Sequence, residues 1–209
     1  RGRWATADEA PSAPPSLSTA PAVPDVFPSG VMNPVTIRML NSFWYWLHGA
    51  GSKQHVIAPP AFYYQLDLLR EWNRGYGRRG FTQYQCVMPR DPDLYEDFLK
   101  RFQALGGSSF ITVFKDTGPQ GDGLLSFPKE GTTLAVDIPL TADTPKLVHE
   151  LNAIVIANGG RVYLAKDAFT TGDELRAMYP NLDRFLAIRE RWDPDHRISS
   201  AMAQRLFGW

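Results

Sequence analysis

The feature that most limits what this chain can fold into is an alternation of strand and helix patterns between residues 81 and 165. Apolar and polar residues alternate over 81–88, as they do in a strand with one buried face. An Asp-Pro pair and a Gly-Gly pair then frame a helix, and a second helix ends at Asn158-Gly159-Gly160. The pattern predicts strands at 81–88, 109–114, 124–128, 133–139 and 161–165, and helices at 91–105 and 143–157.

The order β-α-β-β-β-α-β predicts an α+β protein, in which an antiparallel sheet carries its helices on one face. Two split βαβ halves with one added strand would form a ferredoxin-like layer. After residue 170 the sequence becomes helical again, with helix starts at Thr170/Thr171, Pro180 and Ser199/Ser200. This tail is too small to be a domain, so we expect it to return into a domain that the chain does not contain.

The first part of the chain has a different composition. Six prolines within 11–28 predict an extended or disordered arm over 1–32. Asn33-Pro34 then begins a helix that should run to about His48, with Gly49 as its end. Its apolar run at 43–47 favours packing under other elements, and contact with a membrane or a lipid chain is the alternative. We therefore predict three segments: an arm at 1–32, a domain at 33–160 and a returning segment at 161–209.

Charge and composition narrow the function classes. The formal net charge of zero argues against nucleic acid as a partner. The single cysteine, Cys86, excludes an internal disulfide and is expected to face the core, and the four histidines lack metal-ligand spacing. No apolar run is long enough for a transmembrane helix, and the first residues lack both Met and the apolar core of a signal peptide. We expect a soluble piece of something longer, located in the cytoplasm or at a membrane.

Polar side chains within the predicted strands suggest a binding site. Each of them alone has a structural explanation, such as an edge-strand amide or a lysine that reaches solvent. Together on one sheet, amides, an ammonium group, a carboxylate and a phenol could bind a polyhydroxylated ligand by directional hydrogen bonds. The residues are Gln83, Gln85, Lys115, Asp137, Tyr163 and Lys166.

A series of motifs, in order along almost the whole chain, resembles the substrate domain and C-terminal segment of decaprenylphosphoryl-β-D-ribose 2′-oxidases, which are flavoproteins of the vanillyl-alcohol-oxidase superfamily. The most specific is GGRVYLAKD at 159–167. The others are FYYQLD at 62–67, EWNRGYG at 71–77, GFTQYQ at 80–85, VFK at 113–115, LSFP at 125–128, VDIP at 136–139, TT at 170–171 and MYP at 178–180.

This resemblance implies an FAD-dependent oxidation of a secondary sugar hydroxyl by hydride transfer to flavin N5. It places Lys166 beside the flavin and the substrate as the catalytic residue, and Tyr163 against the flavin ring. The substrate would be a polyprenyl-phosphoryl ribose, a related sugar or an aldonolactone, and a partner reductase would act on the product. The implied substrate-binding residues are Tyr63, Gln83, Gln85, Lys115, Ala135 and Asp137.

Two departures from the family pattern matter. Many actinobacterial members carry a cysteine where this chain has Ala135, which puts inhibition by thiol-directed compounds in doubt but leaves hydride transfer plausible. The family binds FAD mainly through an N-terminal domain that this chain lacks, so we expect the isolated polypeptide to bind FAD poorly and to be inactive. The alternative function, from another class, is a non-catalytic ferredoxin-like interaction module.

Overall fold

The computed structural model describes residues 3–10, 20–26, 28, 30–48, 56–64 and 69–208 and divides the chain into two units, Arg1–Gly80 and Phe81–Trp209. In the first unit, helix α1 (Pro34–His48) begins where predicted, because the Asn33 side chain accepts hydrogen bonds from the N–H groups of Val35 and Thr36 at 2.9 and 3.1 Å. The short helix α2 (Pro59–Tyr63) and a 3₁₀ helix (Trp72–Tyr76) follow. Residues 11–19 of the proline-rich stretch and Gly49 lie outside the described residues.

The second unit is built on a four-stranded sheet. Its elements are β1 (Phe81–Met88), α3 (Pro92–Ala104), β2 (Thr112–Thr117), β3 (Gly131–Pro139), α4 (Thr144–Ala157) and β4 (Arg161–Val162). The strand order is β2-β3-β1-β4 and every neighbouring pair is antiparallel, which confirms the predicted α+β class and gives the β-α-β-β-α-β arrangement of a ferredoxin-like layer.

One face of the sheet carries the hydrophobic core. On β1, Tyr84, Cys86 and Met88 are at most 2% exposed, as the alternation predicted. They pack with apolar residues of β3, α3 and α4 in one cluster, in which Phe98 stacks on Tyr84 with ring centroids 6.3 Å apart. The helices therefore cover this face, and the side chains that alternate with the core residues lie on the other one.

The predicted strand at 124–128 is wrong. This segment forms a turn, closed by a 3.0 Å hydrogen bond from the N–H of Ser126 to the carbonyl of Gly123, and continues without a ladder partner. Its apolar residues pack instead of pairing, since Phe127 is 9% exposed and Leu125 packs against the core. The added strand of the predicted order is consequently absent from the described part of the chain.

Two strand ends also differ from the prediction. β2 begins at Thr112 instead of residue 109, because the Ser109 hydroxyl donates to the carbonyl of Ile111 and accepts the N–H of Asp137 at 2.9 Å, where a backbone ladder would have formed. β4 ends at Val162, and residues Leu164–Lys166 turn into a 3₁₀ helix. Lys166 is thus on a turn after the sheet edge.

Three helices complete the second unit: α5 (Gly172–Met178), α6 (Leu182–Trp192) and α7 (Ala201–Phe207). Thr171 and Glu174 form a capping box at the start of α5, and Ser200 caps α7, which confirms the starts predicted at Thr170/Thr171 and Ser199/Ser200. The helix predicted to open at Pro180 begins two residues later, at Leu182. Leu175, Met178 and Leu206 belong to the same core cluster as the sheet. The return of segment 161–209 into a further domain stays a prediction. The assignment of residues 33–160 to one domain also stays a prediction.

Candidate functional site

The face of the sheet opposite the core cluster brings five of the predicted residues together. We call it the open face, although Val87, Thr133, Ala135 and Asp137 on it are buried. The register pairs Gln83 with Asp137 and Gln85 with Ala135 across β1 and β3. Lys115 lies on the neighbouring strand β2, paired with Thr133 of β3. The open face comprises Gln83, Gln85 and Val87 of β1, Thr133, Ala135 and Asp137 of β3, and Val113 and Lys115 of β2.

Asp137 is the buried carboxylate of this face. It is 1% exposed, and the side-chain amide of Gln83 donates a hydrogen bond to its Oδ1 at 2.8 Å. A carboxylate removed from water is costly unless such partners stabilise it. The Gln83–Asp137 pair is therefore a fixed polar element, with donor and acceptor positions set by two adjacent strands.

Lys166 is the half-buried cation of the site. Desolvation lowers its pKa from the ordinary value, the nearby Lys115 lowers it further, and Asp137 opposes both. Asp137 and Lys115 thus both act electrostatically on Lys166. The two lysines bring positive charge to this face, which favours an anionic ligand or a negative charge that develops during a reaction.

Tyr163 lies at the sheet edge beside the open face. Its N–H donates to the carbonyl of Gln85 at 2.8 Å, which continues the β1–β4 pairing by one residue. Its side chain is 36% exposed and packs on Phe127, with ring centroids 4.7 Å apart and an angle of 33° between the ring planes. Phe127 thus supports one side of the tyrosine ring and leaves part of it accessible.

Arg161 is a residue of the site that the sequence interpretation did not single out. It is 5% exposed, its Nη1 donates to the carbonyl of Ser126 at 2.7 Å, and its guanidinium lies 5.2 Å from the ring centre of Tyr179. It therefore attaches the 124–128 loop, with Phe127, to β4. Arg161 lies within the GGRVYLAKD motif, but its contact with this loop was not predicted because residues 124–128 were interpreted as a strand.

The candidate residue Tyr63 and the single cysteine, Cys86, lie in other environments. Tyr63 is 62% exposed at the end of α2 in the first unit, and its part in the site stays a prediction. Cys86 faces the core and is 0% exposed, and burial raises the pKa of its thiol to about 12, so it is unsuited to be a nucleophile.

The described residues contain neither a metal-binding cluster nor a membrane-spanning helix. Among the described residues, no cluster of three or more His, Cys, Asp or Glu side chains is placed to hold a metal ion. Within the same part of the chain, none of the helices combines the length and the hydrophobicity that crossing a bilayer requires.

Comparison with known proteins confirms the resemblance that the motifs indicated. Residues 133–206 match the family model of D-arabinono-1,4-lactone oxidase. The chain is 39% identical over 213 residues to decaprenylphosphoryl-β-D-ribose oxidase of Mycolicibacterium smegmatis, which covers 99% of this chain and 46% of that protein. It is 34% identical over 129 residues to an uncharacterised protein of Streptomyces coelicolor encoded in the mprA 5′ region, which covers 61% of this chain and 35% of that protein. The chain thus spans less than half the length of either relative.

Proposed function

We propose that the open face and Lys166 form the substrate side of an FAD-dependent oxidoreductase that oxidises a secondary hydroxyl of a sugar. The observation that carries this proposal is the Gln83–Asp137 hydrogen bond on the open face, whose buried carboxylate acts electrostatically on the half-buried Lys166. Asp137 and Lys166 both lie in the segment that matches an oxidase family. Amide, carboxylate and ammonium groups in one place suit a ligand with several hydroxyls.

The residues around Lys166 fit a flavin. The partly exposed ring of Tyr163, supported by Phe127, offers a flat apolar surface on which an aromatic ring system can stack. Lys166 places a positive charge nearby, of the kind that favours electron-rich groups. FAD, when bound, would supply the hydride acceptor at N5, and a domain outside this chain would hold most of the cofactor.

The chain's own residues have two tasks in such an oxidation. A secondary alcohol loses a hydride from carbon and a proton from its oxygen, so its hydroxyl must be oriented and the developing negative charge stabilised. Gln83, Gln85 and Asp137 can orient the hydroxyls of the sugar through hydrogen bonds. Lys166 can donate a hydrogen bond from its ammonium group to the reacting oxygen and stabilise the negative charge that develops there, while the hydroxyl proton passes to water.

Two substrate classes are supported by different observations. Lys115 is exposed on the open face and adds positive charge near the site, which suits the phosphate of a polyprenyl-phosphoryl ribose, the substrate class in the name of the M. smegmatis relative. An aldono-1,4-lactone is the second candidate, because the 133–206 segment matches a lactone oxidase family. We favour the phosphorylated sugar. Its keto product would be passed to a partner reductase.

Anaerobic mixing of the complete, flavin-loaded gene product with each substrate class distinguishes these candidates. We expect a short-chain polyprenyl-phosphoryl ribose to bleach the flavin absorbance rapidly and D-arabinono-1,4-lactone to do so at least tenfold more slowly. Replacement of Lys115 with alanine should weaken apparent binding of the phosphorylated sugar and leave that of the lactone almost unchanged. Bleaching of the flavin by the lactone alone would favour the lactone as the substrate class. If neither compound bleaches the flavin, both substrate classes are rejected.

A further inference from the structure

The turn that carries Lys166 is attached to the last helix, α7. The N–H of Lys166 donates to the carbonyl of Tyr163 at 2.8 Å, and in the next turn the N–H of Thr170 donates to the carbonyl of Asp167 at 2.9 Å. Arg205 of α7 contacts both ends of this second turn, because its Nη2 lies 3.1 Å from Oδ1 of Asp167 and its Nη1 donates to the carbonyl of Thr170. One guanidinium group therefore holds the segment that directly follows Lys166.

The carboxylate of the Asp167–Arg205 ion pair is removed from water. Asp167 is 7% exposed, and desolvation raises the pKa of its carboxyl group while Arg205 opposes that effect. Its second oxygen, Oδ2, is buried without a hydrogen-bond partner in the described part of the chain. A buried carboxylate of this kind depends on its cation, because the loss of either partner leaves an uncompensated charge.

Helix α7 also packs closely on the same segment. Ala203 and Leu206 of α7 are buried, and a Cβ atom added to Gly172 at the start of α5 would lie 2.5 Å from the carbonyl oxygen of Leu206. That distance is too short for a non-bonded contact, so glycine is what allows the two backbones to approach. Packing as well as charge therefore places Arg205 next to residues 167–172.

The link between this ion pair and Lys166 runs through the backbone. Asp137 and Lys115 are the charged residues that act on Lys166. Asp167 is instead the next residue along the chain and shares a peptide unit with Lys166, so an anchored Asp167 restrains the backbone from which the lysine side chain extends.

We propose that Asp167 and Arg205 are positioning residues, which fix the turn that carries Lys166 and hold the lysine side chain in one place for the reaction. This inference rests on the proposed function, in which Lys166 acts on the reacting oxygen. A loss of the ion pair leaves the ammonium group present but misplaced, and a misplacement of about 1 Å is enough to slow a reaction strongly.

Anaerobic flavin reduction in the complete, flavin-loaded gene product tests this role, with whichever of the phosphorylated ribose and the lactone reduces the parental flavin faster. We expect Arg205→Met to lower the reduction rate at saturating substrate about tenfold or more and to change apparent substrate binding by less than about threefold. Arg205→Lys should recover only part of the rate, because a single ammonium group does not reproduce the forked contact with Asp167 and Thr170. The matched control is Arg176→Met, which breaks an exposed ion pair with Asp183 in the same unit and should leave both values unchanged.

A measurement without turnover reports on Lys166 itself. Acetic anhydride modifies exposed amines fastest, and mass spectrometry compares the acetylation of Lys166 with that of the exposed Lys146 of α4 in the same sample. We expect Arg205→Met to raise the relative acetylation of Lys166 severalfold, because the released turn exposes a side chain that is half-buried in the parent. Arg176→Met should leave this ratio unchanged.

A neutral double variant provides the test if Arg205→Met fails to fold. Asp167→Asn combined with Arg205→Met leaves no member of the pair charged and buried, and its effects should match those of the single variants instead of their sum. A parental reduction rate, or parental acetylation of Lys166, in these variants when they are folded would overturn the inference. Reduction of Lys166→Ala at the parental rate would instead overturn the proposed function on which the inference rests.

Discussion

Replacing Lys166 with alanine should slow the reduction of bound flavin by substrate about a hundredfold to a thousandfold in the complete gene product. The substitution removes a half-buried cation on which Asp137 acts electrostatically, and with it the proposed stabilisation of negative charge at the reacting oxygen. Flavin content should change little, because most of the cofactor would be held by another domain. Anaerobic stopped-flow measurement of the flavin absorbance separates the reduction rate from cofactor loss.

A charge-retaining variant and the pH profile test the reason for this effect. Desolvation lowers the pKa of Lys166 from the ordinary lysine value of 10.5. We therefore expect the flavin reduction rate to decline with rising pH already at pH values below 10.5, because the ammonium group loses its proton there. Lys166→Arg keeps a permanent charge and should recover part of the rate while abolishing that alkaline decline. If the alanine variant is reduced at the parental rate with the same flavin content, Lys166 has no role in the reaction.

Replacing Phe98 with alanine should lower the free energy of unfolding of the second unit by about 3–5 kcal/mol. Phe98 of α3 is 0% exposed and stacks on Tyr84 of β1, so its loss leaves a cavity between helix and sheet. Tyr84 in turn donates a hydrogen bond to the buried Asn152 of α4 at 2.9 Å, which links both helices to the central strand. The same strand carries Gln83 and Gln85 on its other face, so this core also positions the site.

Phe114→Ala is the matched control for that substitution. Phe114 is the same residue type in the same unit, on the edge strand β2, but it is 49% exposed and makes an edge contact with Tyr95 at 5.8 Å. We expect it to cost about 1 kcal/mol or less. Urea unfolding followed by circular dichroism measures both variants, and equal losses for the two would contradict the assignment of Phe98 to the core.

The sequence predicted correctly the helices and strands that bury one face, because burial of one face produces a regular pattern of apolar residues. β1, the central strand, and the helices α3, α4 and α5 were found because alternation, caps and glycine stops are local signals. The prediction of a strand at 124–128 was wrong because its apolar residues pack as parts of a loop: Leu125 packs against the core and Phe127 packs on Tyr163. Apolar residues alone do not distinguish such a loop from a strand.

The residue types of the candidate site could be chosen from the sequence, but their arrangement could not. Gln83 and Asp137 are 54 positions apart, and their 2.8 Å contact depends on which strands are neighbours and in which register. Local patterns carry no information on either. The same holds for Arg161, because its role depends on Ser126 and Tyr179, which a sequence pattern does not bring together.

Flavin content is the most direct test of the central claim, that this chain belongs to an FAD-dependent oxidoreductase. The complete gene product, purified and incubated with FAD, should be yellow with the absorbance bands of a bound flavin, whereas the 209-residue chain alone should remain almost colourless after the same treatment. A complete gene product that is well folded but takes up no flavin would contradict the account and favour a non-catalytic binding module.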